Sequence, residues 1–371
     1  MKIALAPIDT WFFRDGTPFD MGESPQSGVL GVFPPNPPTV AGAIRAALAL
    51  QNGWDGRARW SRDIENVLGD GPENLGRLKL TGPFVLHGGD PVFPMPRHVL
   101  GCFGGDGRWL PVSMLQPGAA NVLSDLGPSV RLPEFSPGVT DPASLVPAAR
   151  QWVTLVGLQR ILQGTLPGGD DILRQDDLWA GEPRVGIARE SSSRTVAEGA
   201  LYSTRHVRLC PSVSIGVDVD GVPADWKSPA GSVIPFGGEG RLAACEPWET
   251  KATVKLDSPL GESGNVVLIA LTPLLLERDV ARGQSALMRG VRIMSACMDR
   301  PLRIGGWDSL RRAPLPLKNA VATGSTLFCE VESPAALRKD ITGGLLRVGA
   351  MTTAGFGLCA LGNTPTWERT T

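Results

Sequence analysis

The chain's patterning predicts an α+β fold of more than one domain, and three observations carry that prediction. SVSIGVDVDG alternates, with Val213, Ile215, Val217 and Val219 on one face and Ser214, Asp218 and Asp220 on the other, as a half-buried strand does. VVLIAL at 266–271 and TLFCEV at 326–331 are short apolar runs of strand length. In TVAGAIRAALAL the apolar positions Val40, Ile44, Ala47 and Leu48 recur with helical spacing instead. At 371 residues the chain is too long for one ordinary core, and a hydrophobic content of 42% is enough to fill two or three.

The elements follow in order. KIALAPID reads as a buried strand that delivers the chain into WFFRDGTPFD, where Asp15-Gly16 marks a turn. Trp11, Phe12 and Phe13 beside Arg14 have two readings, rings that stack on bases or rings that fill a core. The prolines of FPPNPP exclude helix up to Thr39, which is placed to cap the helix that carries Arg45, and Asn52-Gly53 ends it. Residues 54–182 are punctuated by glycine and proline into short strands such as LKLTGPFVL, with a helix expected over Leu145–Gln163, Pro147 in its first turn and Gly164 at its end. The acidic side chains Asp170, Asp171, Asp176, Asp177 and Glu182 follow, open to a metal or a solvated-loop reading; no histidine or further ligand stands at a fixed spacing to them. After Leu209 a second domain is expected. It holds the alternating strand, a proline-rich connection, PFGGEGR, the two apolar strands, a short helix from Pro334 and a terminal GGLLRVGAMTTAGFGL.

A net charge of −1 gives no global attraction to nucleic acid or membrane, so any polyanion site has to be a local patch. Gly 46 and Pro 33 together predict short elements with many irregular connections, below the level of low complexity. The six cysteines are scattered, with no C-x-x-C and no adjacent histidine, which speaks against zinc and redox motifs and for reduced thiols in the cytoplasm. No apolar run reaches membrane-spanning length. No cofactor and no metal are expected.

The strongest local patch is PRVGIARESSSRTVAEGALYSTRHVRL, Pro183–Leu209. It holds Arg184, Arg189, Arg194, Arg205 and Arg208 against Glu190 and Glu198, without a lysine. Arginine's planar fork pairs bidentately with phosphate and stacks on bases, which a lysine ammonium does not do. The alternative is a solvated loop whose arginines pair with nearby carboxylates. Tyr202, the sole tyrosine, either stacks on a base or packs between domains. Residues 281–318 form a second patch, with eight basic side chains against Asp299 and Asp308. In the terminal stretch Gly343, Gly344, Gly349, Gly355 and Gly357 interleave with Thr352, Thr353 and Phe356; such a loop lets amides approach a phosphate, although it is neither a Walker A loop nor a dinucleotide fingerprint.

WFFRDGTPF, the proline run into TVAGAIRAAL, RVGIARESSSRT with EGALY, FGGEGR, IGGWD and TAGFGL, in this order, resemble the RAMP superfamily of CRISPR proteins. Within it they are most similar to the third subunit of the Cmr (type III-B) effector complex. The resemblance spans about residues 3–361, with 54–182 unmatched by motif. It implies two ferredoxin-like (RRM-like, βαββαβ) domains in tandem with large irregular insertions, here 1–200 and 201–371. It also implies a non-catalytic subunit that holds the 5′ tag of the guide RNA, docks the large palm-containing subunit and contacts a backbone RAMP subunit. The candidate RNA-binding residues are Arg14, Arg45, Arg184, Arg189, Arg194, Tyr202, Arg205, Gly238, Arg241, Gly343, Gly344, Thr353, Gly355, Phe356 and Gly357.

The competing class is a metal-independent endoribonuclease that processes guide-RNA precursors, since some RAMP relatives cleave RNA by general acid–base chemistry. Of His87, His98 and His206, the last is the candidate base: it lies next to Arg205 and Arg208, which disfavour its protonated form and suit a base.

Overall fold

The fold is described from a computed structural model, which describes residues 1–14, 31–189, 196–249, 256, 264–279, 284–308 and 313–362. Two large sheets dominate. The first has eight strands, ordered Val233–Pro235, Leu242–Pro247, Lys2–Pro7, Val213–Asp220, Lys79–His87, Asp90–Pro94, Gln151–Thr154 and Ile172–Arg174, with neighbours antiparallel. The second has nine, ordered Leu345–Arg347, Leu358–Gly362, Asn265–Ala270, Thr326–Val331, Val291–Cys297, Gly127–Phe135, Trp109–Ser124, Val99–Phe103 and Val146–Pro147.

Each sheet contains the same kernel. In the first, the strands beginning at residues 2, 79, 213 and 242 lie in the spatial order fourth, first, third, second. In the second, the strands beginning at 265, 291, 326 and 358 repeat that order. The helix Pro37–Gln51 connects the first two kernel strands of the first sheet, whereas the second sheet keeps a one-turn helix, Pro334–Leu337, between its last two. Ser333 caps that turn by accepting the Ala336 amide.

Alternation explains the layers. Ile3, Leu5 and the valine and isoleucine face of 213–219 point to one core with Val40, Ile44 and Leu48 of the helix. Ala4, Phe84 and Leu86 point the other way, into a core shared with Val267, Ile269, Phe328, Leu358 and Ala360. The sheets therefore pack face to face. The opposite side of the second sheet buries Val266, Leu268, Leu327 and Cys329 in a third core. VVLIAL lacks alternation because both its faces are covered, and each such side chain contributes roughly 1.5–3 kcal/mol of burial.

The sequence expectations are corrected in three places. The first helix starts at Pro37 with Pro37 and Pro38 in its opening turn, because proline is tolerated where the amide has no intrahelical partner. The helix expected over Leu145–Gln163 forms only at Leu155–Leu162; Trp152 and Val153 join the strand Gln151–Thr154, which pairs with 92–94, and Thr154 caps the helix at the Gly157 amide. The strand Val213–Asp220 does not open a second unit at residue 201. It inserts between Lys2–Pro7 and Lys79–His87, since its apolar face completes the core under the first helix. The region 54–182 is shared out: its strands at 79–94, 151–154 and 172–174 extend the first sheet, and those at 99–135 and 146–147 extend the second.

Candidate nucleic-acid interface

Trp179–Arg189 and Val196–Leu209 pair with each other as a long two-stranded hairpin, a sheet of their own. Its base is tied to the body where Trp11 and Val207 exchange backbone hydrogen bonds of 2.9 and 2.8 Å. In the ladder Glu182 stands opposite His206, Arg184 opposite Thr204 and Ala180 opposite Arg208, so these side chains share one face. Asp9, just past the first strand, meets them there.

The result is a network of five charges. Asp9 accepts from Nη2 of Arg184 (2.9 Å), Nη2 of Arg208 (3.0 Å) and Nη1 of Arg241 (3.2 Å). Glu182 accepts from Nε and Nη2 of Arg184 at 3.0 and 2.8 Å and from Nε of Arg208. Three arginines against two carboxylates leave one net positive charge. Among the described residues, Nη1 of Arg184 and of Arg208 carries no hydrogen bond, so each has two N–H donors for a further acceptor. The bond from Arg184 is the largest reason why the Asp9 carboxyl is pushed down to about 2. Glu182 is lowered by Arg208 and then Arg184, and both guanidiniums are raised in return.

His206 lies beneath this network, buried, with Nδ1 3.1 Å from the Thr10 hydroxyl and its ring stacked on Phe12 at 5.1 Å and 19°. Burial lowers its pKa first, with Arg241 and Arg184 adding to the shift. The Phe12 carbonyl accepts the Gly238 amide at 2.8 Å, which folds the FGGEGR loop onto the same corner and delivers Arg241 to Asp9. On the other face of the hairpin the exposed Arg205 lies across Gly181, where a Cβ would stand 2.2 Å from the Arg205 Nε.

The terminal glycine loop lies elsewhere. A Cβ on Gly355 would stand 2.3 Å from the Gly82 carbonyl oxygen, and one on Gly357 1.9 Å from that of Val348, with φ of +98° and +67°. Gly343 and Gly344 also have positive φ, and the Gly343 carbonyl accepts the Leu256 amide at 2.9 Å. Arg347 fastens the loop to the first sheet, donating from Nη1 to the carbonyls of Leu80 (2.9 Å) and Thr352 (3.0 Å) and from Nη2 to Thr81 Oγ1.

The sequence model for the CRISPR-associated protein family Cas_Cmr3 matches residues 3–364. The chain belongs to the Cas_Cmr3 family. No curated protein matches it. In a cryo-EM structure of the type III-B Cmr-beta complex bound to cognate target RNA, one chain is 17% identical with a TM-score of 0.51, covering 88% of this chain and 86% of that one. In the same type of complex with target RNA and AMPPnP, the match is 16% identical with a TM-score of 0.50, covering 92% and 90%. A chain of a type III-A Csm3–Csm4 subcomplex is 10% identical with a TM-score of 0.42 over 90% and 94%. The two Cmr-beta likenesses show a shared fold.

In this Cas_Cmr3 member the structure brings Arg184 and Arg241 together, with Gly238 in the supporting loop and Arg205 on the hairpin's reverse face. Arg14 is exposed and bridges to Gly31. Thr353 is exposed on the glycine loop. Tyr202 pairs with Gly186 and Arg189 with Val196 through the backbone, but their side chains, and all of Arg194, lie outside the described residues. Burial corrects two candidates. Arg45 bonds the carbonyls of Gly71 and Gly69 at 2.9 and 3.0 Å and covers the Trp60 ring, so its donors face protein. Phe356 is 1% exposed in the core, and the ring cannot stack on a base there. Trp11, Phe12 and Phe13 are likewise core. The acidic run is taken up by arginines: Asp171 by Arg160, Asp176 by Arg150 and Asp177 by Arg174. Sequence reasoning missed Asp9 and Gly181 and left Glu182 and Arg208 out of the site. Contacts across 175 to 232 residues leave no local trace beyond a carboxylate at a strand end.

Proposed function

We propose that this chain is a non-catalytic, RNA-binding subunit of a type III-B CRISPR (Cmr) effector complex, holding the 5′ tag of the guide RNA and docking the large palm-containing subunit. Family membership supports the assignment to the complex, as does the likeness in fold to chains of RNA-bound Cmr-beta assemblies. The repeated strand order supports reading each sheet as a ferredoxin-like unit with reduced helices, the first keeping Pro37–Gln51 and the second, among the described residues, only the one-turn Pro334–Leu337, with the boundary between Pro247 and Asn265.

One observation carries the RNA contact: Arg184 and Arg208 are held by Asp9 and Glu182 with donors left for an anion. Fixing a guanidinium in advance lowers the ordering cost of binding a phosphate. Purification of the native complex with sequencing of its RNA tests the reading. Short RNAs sharing one constant 5′ end are expected; RNA without a common end contradicts it.

The endoribonuclease reading would require His206 to reach a scissile phosphate. Its ring is under Phe12 and bonded to Thr10, which favours a structural role. Incubation of the purified protein with repeat RNA without metal is expected to yield binding and no products.

A further inference from the structure

The second cationic patch of the sequence, 281–318, ends in an irregular hairpin. Leu302–Ile304 pairs with Lys318–Ala320, and farther out Trp307–Asp308 pairs with Ala313–Pro314. Its inner side is anchored: Ile304 and Ala320 are buried in the core beneath the first helix, and Asp308 is buried too. Their neighbours Arg303, Asn319 and Trp307 alternate with them and point outward. Arg303 stands opposite Asn319 and Trp307 opposite Pro314, all four exposed, while Leu317, 50% exposed, lies between Pro314 and Asn319 in the chain. Among the described residues Trp307, at 62%, is the only exposed tryptophan.

An exposed apolar face of this kind marks an interaction surface, and its charge selects the partner. Asp299 is held by Arg97, and Lys318 holds Glu73. Arg300 and Arg303 are exposed and, among the described residues, neither guanidinium makes an ion pair. The unpaired charge on the face is therefore positive. A phosphate chain would draw on backbone N–H groups as well as guanidiniums, but Pro301, Pro314 and Pro316 have none to give. Leu317 and Met298, exposed by 50% and 42%, have no counterpart on a sugar–phosphate chain. Tryptophan, methionine and arginine are the side chains enriched at protein–protein contacts. We infer that the outward face of this hairpin docks an acidic surface of another Cmr subunit, with the Trp307 ring filling an apolar pocket there and Arg303 pairing with a carboxylate at its rim. The packed inner side holds the ring in place beforehand, which lowers the ordering cost of docking.

This inference rests on the reading of the chain as a subunit of a Cmr complex, and the test separates the two. The full-length parent, Trp307→Ala and Arg303→Glu are each titrated with every other subunit of the complex in turn, guide RNA present, and separately with guide RNA alone. Both side chains are exposed, so melting temperatures within a few degrees of the parent are expected. Affinity for one subunit is expected to fall by about thirtyfold or more in Trp307→Ala and by about tenfold in Arg303→Glu. Trp307→Phe should recover most of the first loss, and affinity for guide RNA alone should not change. Unchanged affinity for every subunit overturns the docking face and leaves the subunit reading standing. A loss confined to guide RNA makes the hairpin an RNA contact and also overturns the docking face. A parent that binds none of the subunits removes both readings.

Discussion

The hairpin base and the terminal glycine loop bring groups close together in opposite ways. At the hairpin base the long side chains of Arg184, Arg208 and Arg241 are gathered by Asp9 and Glu182, with donors left over at the surface. In the glycine loop the approaching groups are the protein's own carbonyls, those of Gly82 and Val348, and Arg347 seals the contact from the other side. A dense run of glycines therefore reports that backbone comes close to something. It does not report what. A cluster of arginines with fewer carboxylates than guanidiniums carries an excess of positive charge and of N–H donors at the surface.

The largest effect expected from this contrast falls on the loop. Gly357→Ala places a Cβ 1.9 Å from the Val348 carbonyl oxygen at φ +67°, so both overpacking and left-handed strain apply. A loss of about 3 kcal/mol or more is expected in urea denaturation. A variant that unfolds with the parent and binds RNA poorly would make the loop an RNA surface after all.

A smaller effect separates the charges of the hairpin base from simple packing. The folded pKa of Asp9 lies below its ordinary value of 3.8, at about 2, so its contribution to stability is complete above the ordinary value and is lost as pH falls through the folded one. The urea midpoints of the parent and Asp9→Asn should therefore differ by a constant amount between pH 5 and 7, converge below about 4 and meet only below about 2. A difference that stays constant down to pH 2 would show that the Asp9 charge is not what holds the arginines.

The smallest effect is a gain. Gly42 sits exposed inside the first helix with negative φ and nothing within 4 Å of a built Cβ. Gly42→Ala should stabilise by about 0.5–1 kcal/mol in the same denaturation series. A loss instead would mean that glycine there, too, is required by a close neighbour.

What was legible in the sequence follows from how local its cause is. The alternation of Val213, Ile215, Val217 and Val219 and the uninterrupted 266–271 run are consequences of burial on one face or two, and the strands appear where the pattern puts them. The core role of Trp11 and its neighbours, one of two open readings, is decided by Leu242, whose carbonyl takes the indole N–H at 2.9 Å, and by Phe236. Strand partnership was not legible. Val213–Asp220 carries no mark saying that it belongs between residues 2–7 and 79–87. The cationic stretch was visible by composition, yet its carboxylate partner Asp9 is remote in sequence. The carboxylate-pairing reading holds for Arg184 and Arg208, which keep donors beyond those pairs.

The salt dependence of guide-RNA affinity tests the role of the hairpin base most directly. Parent and the double variant Arg184→Gln, Arg208→Gln are titrated with one guide RNA across a series of salt concentrations. Loss of two phosphate contacts should weaken binding at least tenfold at low salt and flatten the slope of log affinity against log salt by about 1.4. A double variant that keeps the parent's slope would contradict the assignment of Arg184 and Arg208 to the RNA backbone.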